Sequence, residues 1–305
     1  MTETPFSLEE LIRRAQAAFL GLAIGDALGA TTEFLTPSEI QFRHKVHRRI
    51  IGGGWLNLKP GKVTDDTEMS LCIARAIDES DGWNLRGIAE HFAGWLRSKP
   101  IDVGATCRRG ISDFIIKGQL EKPFSDWDGG NGAAMRMLPV ALYTLGDEAL
   151  LEKCSLEQAH LTHNHHLSDA GCIAVGKLVQ QALLGADRPR LHSIVRDLVS
   201  EHPKFRCSHY RGEASAYVVD TLKTVFHYFF STASFEECLI GVVNQGGDAD
   251  TTGAIAGMIA GASYADEPMP KQWLKKLDPT VKAESMILAE RLIRLSPLGK
   301  RLIQN

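Results

Sequence analysis

The amino-acid sequence predicts an all-α fold built as one domain over residues 1–305. Apolar residues recur three and four positions apart through most of the chain, which is the spacing of a helix with one buried face. No stretch of five or more residues alternates apolar and polar side chains as a half-buried strand would. No linker rich in proline, serine or glycine and no repeat of fixed period divides the chain, which is long enough to bury a sizeable core.

The first predicted helix covers residues 8–30. Its apolar residues stand at positions 8, 11, 12, 15, 19, 22 and 23, Ser7 is suited to cap its N-terminus, and Glu10 completes a capping box. The same periodicity predicts further helices over 66–79, 85–97, 104–117, 132–145, 155–161, 168–184, 190–201, 214–230, 234–243, 251–264 and 281–296. Residues 45–55, KVHRRIIGGGW, are instead expected to form a short extended segment.

Two of these helices carry glycine at every fourth position, at 21, 25 and 29 and again at 253, 257 and 261. Each glycine costs a helix about 0.8–1.0 kcal/mol relative to alanine. Such a cost is understandable if another backbone approaches that face closely. The spacing therefore indicates either tight helix packing alone or packing that also brings helix ends together to build a site.

Composition and charge argue against several kinds of protein. A net charge of −3 does not suit a nucleic-acid-binding protein, which needs a basic face. The N-terminus lacks the residue order of a signal peptide, and the apolar run over 15–24 is broken by Asp26 and is too short to span a bilayer. Six cysteines without a C-x-x-C pair predict free thiols in a reducing cytoplasm, with no disulfide and no structural zinc.

Two glycine-containing loops place carboxylates and hydroxyls at the start of a predicted helix. They are GKVTDDTEMS, with Thr64, Asp65, Asp66 and Thr67, and GGDADTTG, with Asp248, Asp250, Thr251 and Thr252. Each acid alone would be explained by helix capping, because a carboxylate accepts free backbone N–H groups. If the loops converge, the repulsion among their carboxylates needs a cation, and hard oxygen donors suit Mg²⁺, Mn²⁺ or Ca²⁺. An EF-hand is excluded, since the twelfth residue counted from Asp248 is Ile259 rather than glutamate.

Three further stretches each have a functional and a purely structural explanation. THNHHLSD holds His163, His165 and His166 without the pattern of a zinc site. DGGNGAAMR is either a plain glycine loop or a turn whose N–H groups bind an anion. Asp102, in KPIDVGATCRRG, is either the N-cap of a helix or an acid or base aimed into a pocket. The sequence contains no P-loop, no G-x-G-x-x-G fingerprint and no G-x-S-x-G elbow.

Six stretches, taken in order, resemble the ADP-ribosylglycohydrolase family. They are GLAIGDALGATTEF, GKVTDDTEMS, PIDVGATCRRG, GNGAAMR, THNHHLSDA and NQGGDADTTGAIAGMIAGA, and their order and spacing match from about Ala17 to Leu277. GGGWLNLKPGKVTDDTEMSL and SAYVVDT are especially similar to the branch of the family that acts on dinitrogenase reductase in nitrogen-fixing bacteria.

The resemblance implies an orthogonal helical bundle with a binuclear metal centre in a cleft, usually of two Mn²⁺ or Mg²⁺ ions. It implies metal ligation by Thr64, Asp65 and Asp66 from one loop and by Asp248, Asp250 and Thr251 from the other. It also implies catalytic roles for Asp102 and for Glu33 in TTEF, and ligand-binding roles for Asn131, Gly132, His163 and Tyr217.

The reaction implied by the resemblance is hydrolysis of the bond between ribose C1 and an arginine guanidinium, with ADP-ribosylated dinitrogenase reductase as the protein substrate. The resemblance also suggests control by a PII-type nitrogen signalling protein and, through it, recruitment to an ammonium transporter. We expect a cytoplasmic monomer that reaches the membrane only through such partners. The alternatives are a hydrolase for another linkage, such as serine-linked or O-acetyl ADP-ribose, and a relative that binds ADP-ribose or has a structural role without cleaving it.

Overall fold

The computed structural model describes residues 6–208, 210–212 and 214–304. Over these residues the chain is built from helices and contains two isolated β-bridges but no strand, so the predicted all-α fold class is confirmed. The α-helices are α1 (Leu8–Gly29), α2 (Pro37–His44), α3 (Asp65–Glu79), α4 (Leu85–Arg97), α5 (Ala105–Lys117), α6 (Leu138–Tyr143), α7 (Glu148–His160), α8 (His166–Leu183), α9 (Arg188–Glu201), α10 (Val218–Ser231), α11 (Phe235–Val243), α12 (Ala249–Ser263), α13 (Lys271–Lys276), α14 (Pro279–Leu295) and α15 (Pro297–Gln304). A 3₁₀ turn covers Pro203–Phe205.

Three predicted helices differ from the structure. The helix predicted over 132–145 is wrong at 132–137, which is not helical, and α6 begins only at Leu138 with Pro139 in its first turn. The helix predicted over 155–161 is only the second half of α7, which begins after Asp147, whose side chain accepts the Leu150 N–H as an N-cap. The helix predicted from residue 214 begins at Val218. In the segment expected to be extended, Gly53 pairs with Leu58 in an isolated bridge.

Helix α12 lies at the centre of the fold and is buried from Ala249 to Ala262. Its most extensive contact is with α1, whose residues from Ala18 to Gly29 are also buried. A continuous cluster of buried apolar side chains surrounds the pair and includes residues of most other helices. Among the described residues, no helix is both long and apolar enough to cross a membrane.

The glycines of α1 and α12 bring the two backbones into contact. A Cβ added to Gly25 would lie 1.9 Å from the Gly253 oxygen, and one added to Gly21 would lie 2.2 Å from the Gly257 oxygen. Residue numbers along α1 increase from Gly21 to Gly25, while those of their partners in α12 decrease from Gly257 to Gly253. The two helices are therefore antiparallel. The packing is tight, and it also places the end of α1 beside the start of α12, as the second interpretation of the glycine spacing requires.

Candidate metal centre and ligand cleft

A cavity of about 410 Å³ lies at the N-terminal ends of α3, α5 and α12. Its volume falls in the range of about 300–1,000 Å³ that is usual for small-molecule pockets. Nine of the site residues predicted from the sequence line it: Glu33, Asp65, Asp102, Asn131, Gly132, His163, Asp248, Asp250 and Thr251. The other three, Thr64, Asp66 and Tyr217, lie outside the lining.

The two acidic loops meet in space. The Thr251 hydroxyl donates to Asp66 Oδ2 over 3.4 Å, although the two residues are 185 positions apart. Carboxylate oxygens of Glu33, Asp248 and Asp250 lie within 4.8 Å of one another. The convergence that a shared cation site requires is therefore present.

The capping explanation does not account for these loops. Thr64 is the N-cap residue of α3 and Asp248 that of α12, yet neither side chain accepts a hydrogen bond from its helix. Asp248 Oδ2 instead accepts from Asn131 Nδ2 at 2.8 Å. Asp250 makes one local contact, accepting the Thr251 N–H at 2.9 Å.

Asp26, which the sequence analysis treated only as a break in an apolar run, holds the first loop in place. It is fully buried in α1 and accepts the backbone N–H groups and the hydroxyls of both Thr64 and Thr67. Burial raises the pKa of Asp26 to about 7, while these donors act in the opposite direction. The signal that could have identified it is an acid within a helix that is otherwise small and apolar.

Asp66 has one oxygen that no residue satisfies. Its Oδ2 accepts the Thr251 hydroxyl and shares the single Thr64 hydroxyl proton with Asp26 Oδ1, but its own Oδ1 is buried without a hydrogen-bond partner among the described residues. Burial, followed by the charges of Asp26 and Asp65, raises the pKa of Asp66 well above its usual range. An orphaned buried carboxylate oxygen is costly, and a cation bound to it would remove that cost.

The neighbouring carboxylates are also perturbed. Burial raises the pKa of Glu33 and of Asp65 to about 8, and the charge of Asp102 adds to both shifts. Burial followed by the charge of Asp66 raises the pKa of Asp250 well above its usual range. These acids cannot all ionise at neutral pH unless a cation binds among them. The donors are oxygens throughout, so the site fits hard divalent cations such as Mg²⁺ or Mn²⁺.

A pair of backbone hydrogen bonds places Glu33 beside the second loop. The Phe34 N–H donates to the Gly247 oxygen at 2.7 Å, and the Gly247 N–H donates to the Leu35 oxygen at 3.0 Å. Gly246 and Gly247 both have positive φ, and a Cβ on Gly246 would lie 1.9 Å from the Leu35 oxygen. The glycine pair of the GGD sequence is therefore needed for this approach.

Trp55 is a second residue that sequence analysis missed. Its Nε1 donates to Glu33 Oε2 at 2.6 Å, and its ring centre lies 5.3 Å from that of Phe34 at the cavity edge. Gly54 has positive φ, and a Cβ on it would lie 2.2 Å from the Ala30 oxygen. The run of three glycines before Trp55 is the signal that this segment folds back onto the end of α1.

Asp102 is free of any capping role. Helix α5 begins at Ala105 with Gly104 as its N-cap, and the Gly104 N–H donates to Asp65 Oδ2 at 3.1 Å. The Asp102 carboxylate is half-buried in the cavity wall, and its burial raises its pKa. Of the two explanations for this residue, the structure excludes the N-cap and leaves a carboxyl group that lines the pocket.

The expected ligand-binding residues occupy two different positions. Asn131, Gly132 and His163 line the cavity, and a Cβ on Gly132 would lie 2.8 Å from both Cys107 Sγ and His163 Cε1. Tyr217 lies beside the cavity, with its backbone paired to Gly130. Its ring comes within 3.3 Å of the position that a Cβ on residue 129 would take. His165, by contrast, has a structural role, since Nδ1 accepts the Leu167 N–H at the start of α8.

Fold and site together define a class: an all-α protein whose oxygen ligands can hold divalent cations beside a cleft for a small molecule. The family model of ADP-ribosylglycohydrolases matches residues 7–301. The chain belongs to that family, and the predictions of the family and of a hydrolase are confirmed.

Relatives agree with this assignment over nearly the whole chain. ADP-ribosyl-[dinitrogen reductase] glycohydrolase of Rhodospirillum rubrum is 51% identical over 285 residues, which is 93% of this chain and 97% of the relative. ADP-ribosylarginine hydrolase Tri1 of Serratia proteamaculans is 30% identical, covering 94% of this chain and 81% of the relative. A solved structure titled "ADP-ribosylglycohydrolase-related protein complex" superposes with a TM-score of 0.83 at 30% identity, covering 94% of this chain and 99% of that one.

Proposed function

We propose that the protein hydrolyses the N-glycosidic bond of ADP-ribosyl-arginine and thereby removes ADP-ribose from dinitrogenase reductase. The observation that carries this proposal is the 51% identity, over 93% of the chain, to the Rhodospirillum rubrum ADP-ribosyl-[dinitrogen reductase] glycohydrolase. The geometry supports it, because the acids that such chemistry requires surround a cavity of suitable size.

The acidic cluster supports a centre of two Mn²⁺ or Mg²⁺ ions. We assign as ligands Thr64, Asp65 and Asp66 from the first loop and Asp248, Asp250 and Thr251 from the second. The orphaned Oδ1 of Asp66 and the close oxygens of Glu33, Asp248 and Asp250 favour this assignment. Divalent cations at such a site polarise substrate oxygens and acidify a nearby water.

The chain's own residues supply the remaining chemistry. As arginine departs, positive charge develops on the ribose ring, and the carboxylates around the cavity favour that charge electrostatically. Asp102 takes the role of general base, because it lines the cavity and is not used to cap α5. Glu33, oriented by Trp55, is the second catalytic candidate. Asn131, Gly132 and His163 bind the ADP-ribose moiety, and Tyr217 is assigned to the outer edge of the same site.

A second candidate function has the same linkage but another target protein. Relatives named ADP-ribosylarginine hydrolase Tri1, from Serratia proteamaculans and Pseudomonas putida, are each 30% identical to this chain. Hydrolysis of other linkages and binding without cleavage are the remaining alternatives.

Several accompanying expectations stay predictions. We propose a single domain over residues 1–305 in the cytoplasm, where six free cysteines are compatible with reducing conditions. Regulation by a PII-type protein, recruitment through it to an ammonium transporter, and a monomeric state rest on the resemblance alone.

The test is incubation of the protein with arginine-ADP-ribosylated dinitrogenase reductase in Mn²⁺, in Mg²⁺ or with a chelator. We expect free ADP-ribose and a reactivated reductase only when metal is present. An unrelated protein with ADP-ribosyl-arginine and one with the serine-linked form serve as parallel substrates. Equal rates on both arginine-modified proteins would favour the second candidate, and binding without release would overturn the hydrolase proposal.

A further inference from the structure

A buried arginine lies close behind the cavity without an acidic partner. Arg136 is fully buried, and its hydrogen bonds within the described part of the chain go only to uncharged groups. Its Nε donates to Gln158 Oε1 at 2.7 Å, its Nη2 donates to Thr162 Oγ1 at 2.7 Å, and its guanidinium carbon lies 4.8 Å from the Phe92 ring centre. Burying a cation among neutral acceptors is costly. The arrangement therefore raises the question of what these hydrogen bonds hold in place.

The Thr162 hydroxyl connects Arg136 to His163. Thr162 Oγ1 lies 2.7 Å from His163 Nδ1, and both residues are buried. A guanidinium can only donate, so the Thr162 oxygen accepts from Arg136 and still has its own proton to place. Within the described part of the chain, His163 Nδ1 is the one acceptor that this hydroxyl reaches, and buried hydroxyl protons are normally paired.

This hydrogen-bond direction determines the protonation of the His163 ring. If Nδ1 accepts from Thr162, it carries no proton, and the single proton of the neutral imidazole lies on Nε2. Burial, reinforced by the charge of Arg136, lowers the pKa of His163 well below its ordinary value, so the ring is neutral.

The second ring nitrogen of His163 faces the cavity. A Cβ added to Gly130 would lie 3.1 Å from Nε2, and one added to Gly132 would lie 3.2 Å from it. His163 lines the cavity, and its Nε2 forms no hydrogen bond with any described residue. A side chain that is 2% exposed thus places an unpaired ring nitrogen at the cavity wall.

We propose that Arg136 and Thr162 are positioning residues that lock His163 in the Nε2–H form, which then donates a hydrogen bond to an acceptor oxygen of the bound ligand. A guanidinium offers donors only and cannot pair with this N–H. The lock therefore favours a hydroxyl or phosphate oxygen near His163 and directs the arginine part of a substrate elsewhere. The identification of the ligand as ADP-ribose rests on the proposed function, whereas the locked tautomer does not.

The tautomer is tested by NMR on the full chain labelled with ¹⁵N-histidine. A His163→Gln variant identifies the His163 signals among the eleven histidines. We expect Nδ1 to be unprotonated and Nε2 to be protonated at every pH between about 6 and 8, since a buried neutral ring does not titrate there. A wild-type protein with the proton on Nδ1, or with a charged ring, would overturn the proposal whatever its ligand is.

Thr162→Val and Thr162→Ser form a matched pair that tests the hydrogen bond from the Thr162 hydroxyl to His163. Valine has the same shape without the hydroxyl, so His163 should lose its fixed tautomer, and ADP-ribose binding measured by calorimetry should weaken roughly 3- to 10-fold, the effect of one net hydrogen bond. Serine keeps the hydroxyl and should retain both the tautomer and the affinity. An unchanged tautomer and affinity in a folded Thr162→Val protein would refute the role of Thr162.

The two measurements separate this inference from the proposed function. If the wild-type protein fails to bind ADP-ribose, the proposed function fails, and the NMR signals still decide whether the lock exists. If Thr162→Val does not fold, the wild-type spectrum and the Thr162→Ser variant decide the question, because loss of the tautomer in the serine variant would contradict a lock made by the hydroxyl.

Discussion

Three aspartates near one cavity have different roles because their oxygens meet different partners. Asp26 accepts hydrogen bonds from two backbone N–H groups and two hydroxyls, so its carboxylate is used to hold the first acidic loop. Asp66 keeps one buried oxygen without a partner, which suits a metal ligand. Asp102 caps no helix and faces the cavity, which suits an acid or base. Residue type alone would not separate these roles.

The first prediction concerns Asp102. In Asp102→Asn the amide keeps the shape of the carboxylate but cannot take a proton, so kcat should fall by about 10²- to 10⁴-fold. Metal content and ADP-ribose affinity should stay at the wild-type level, because no metal ligand is removed. Steady-state kinetics, metal analysis and calorimetry measure the three quantities.

A matched control for this variant lies on the helix that follows. Asp113→Asn makes the same chemical change on α5, at a residue paired with Lys117 outside the cavity lining. Its turnover should equal that of the wild type. If Asp102→Asn also turned over at the full rate, Asp102 would not be the general base.

The sequence predicts the acids of the site better than the residues that hold them. Asp65, Asp248 and Asp250 stand in short stretches where acids, hydroxyls and glycines are neighbours, so the pattern is visible locally. Asp26 acts on Thr64 across 38 positions, and Trp55 acts on Glu33 across 22. Such contacts depend on how the helices pack, which no local pattern records.

At the scale of helices, the packing of α1 against α12 determines where the site forms. A Cβ on Gly29 would lie 2.1 Å from the Ala249 oxygen, so the last turn of α1 contacts the first turn of α12. Glu33 follows α1 by one turn, and Asp248 and Asp250 stand at the start of α12. The periodic glycines predicted a close approach of another backbone to each helix, but not that these two helices would meet each other.

Helix boundaries were less predictable where proline or a cap decides them. The short helices α2, α13 and α15 were not predicted, and each has proline at its N-cap or first position. Proline favours the first turn of a helix but is read in a sequence as a break. The first half of α7 was missed for a related reason, since its start depends on a single capping side chain, Asp147.

The second prediction compares two helical glycines. Gly25→Ala would place a methyl group 1.9 Å from the Gly253 oxygen, so the free energy of unfolding should fall by at least ~2 kcal/mol. Because the helix ends would separate, Mn²⁺ affinity should fall as well. Urea denaturation and calorimetry measure the two effects.

Gly94→Ala is the control for that comparison. Gly94 is exposed in α4, and a Cβ there meets nothing within 4 Å. Alanine should raise the free energy of unfolding by about 0.5–1 kcal/mol and leave Mn²⁺ affinity unchanged. Equal stability of the two variants would mean that the α1–α12 contact tolerates a side chain and does not determine the site.

At the scale of the whole molecule, the fold concentrates acidic side chains in its interior. Glu33, Asp66 and Asp250 are all buried close to one another, and each has a raised pKa chiefly because of burial. Burying acids in this way lowers the stability of the folded protein, and the binding of cations to the acids offsets that loss. Metal binding and global stability should therefore be linked.

The last prediction follows from this linkage. Saturating the protein with Mn²⁺ at about 100 times its dissociation constant should raise the free energy of unfolding by about 2.7 kcal/mol per site. In Asp66→Asn the gain should be lost, because the ligand with the orphaned oxygen is neutral, while the far-UV circular dichroism should stay helical. Without metal, Asp66→Asn should be at least as stable as the wild type, since one buried acid has been removed from the cluster. The order of stability should thus reverse when Mn²⁺ is added, and a variant that gained as much from Mn²⁺ as the wild type would remove Asp66 from the ligand set.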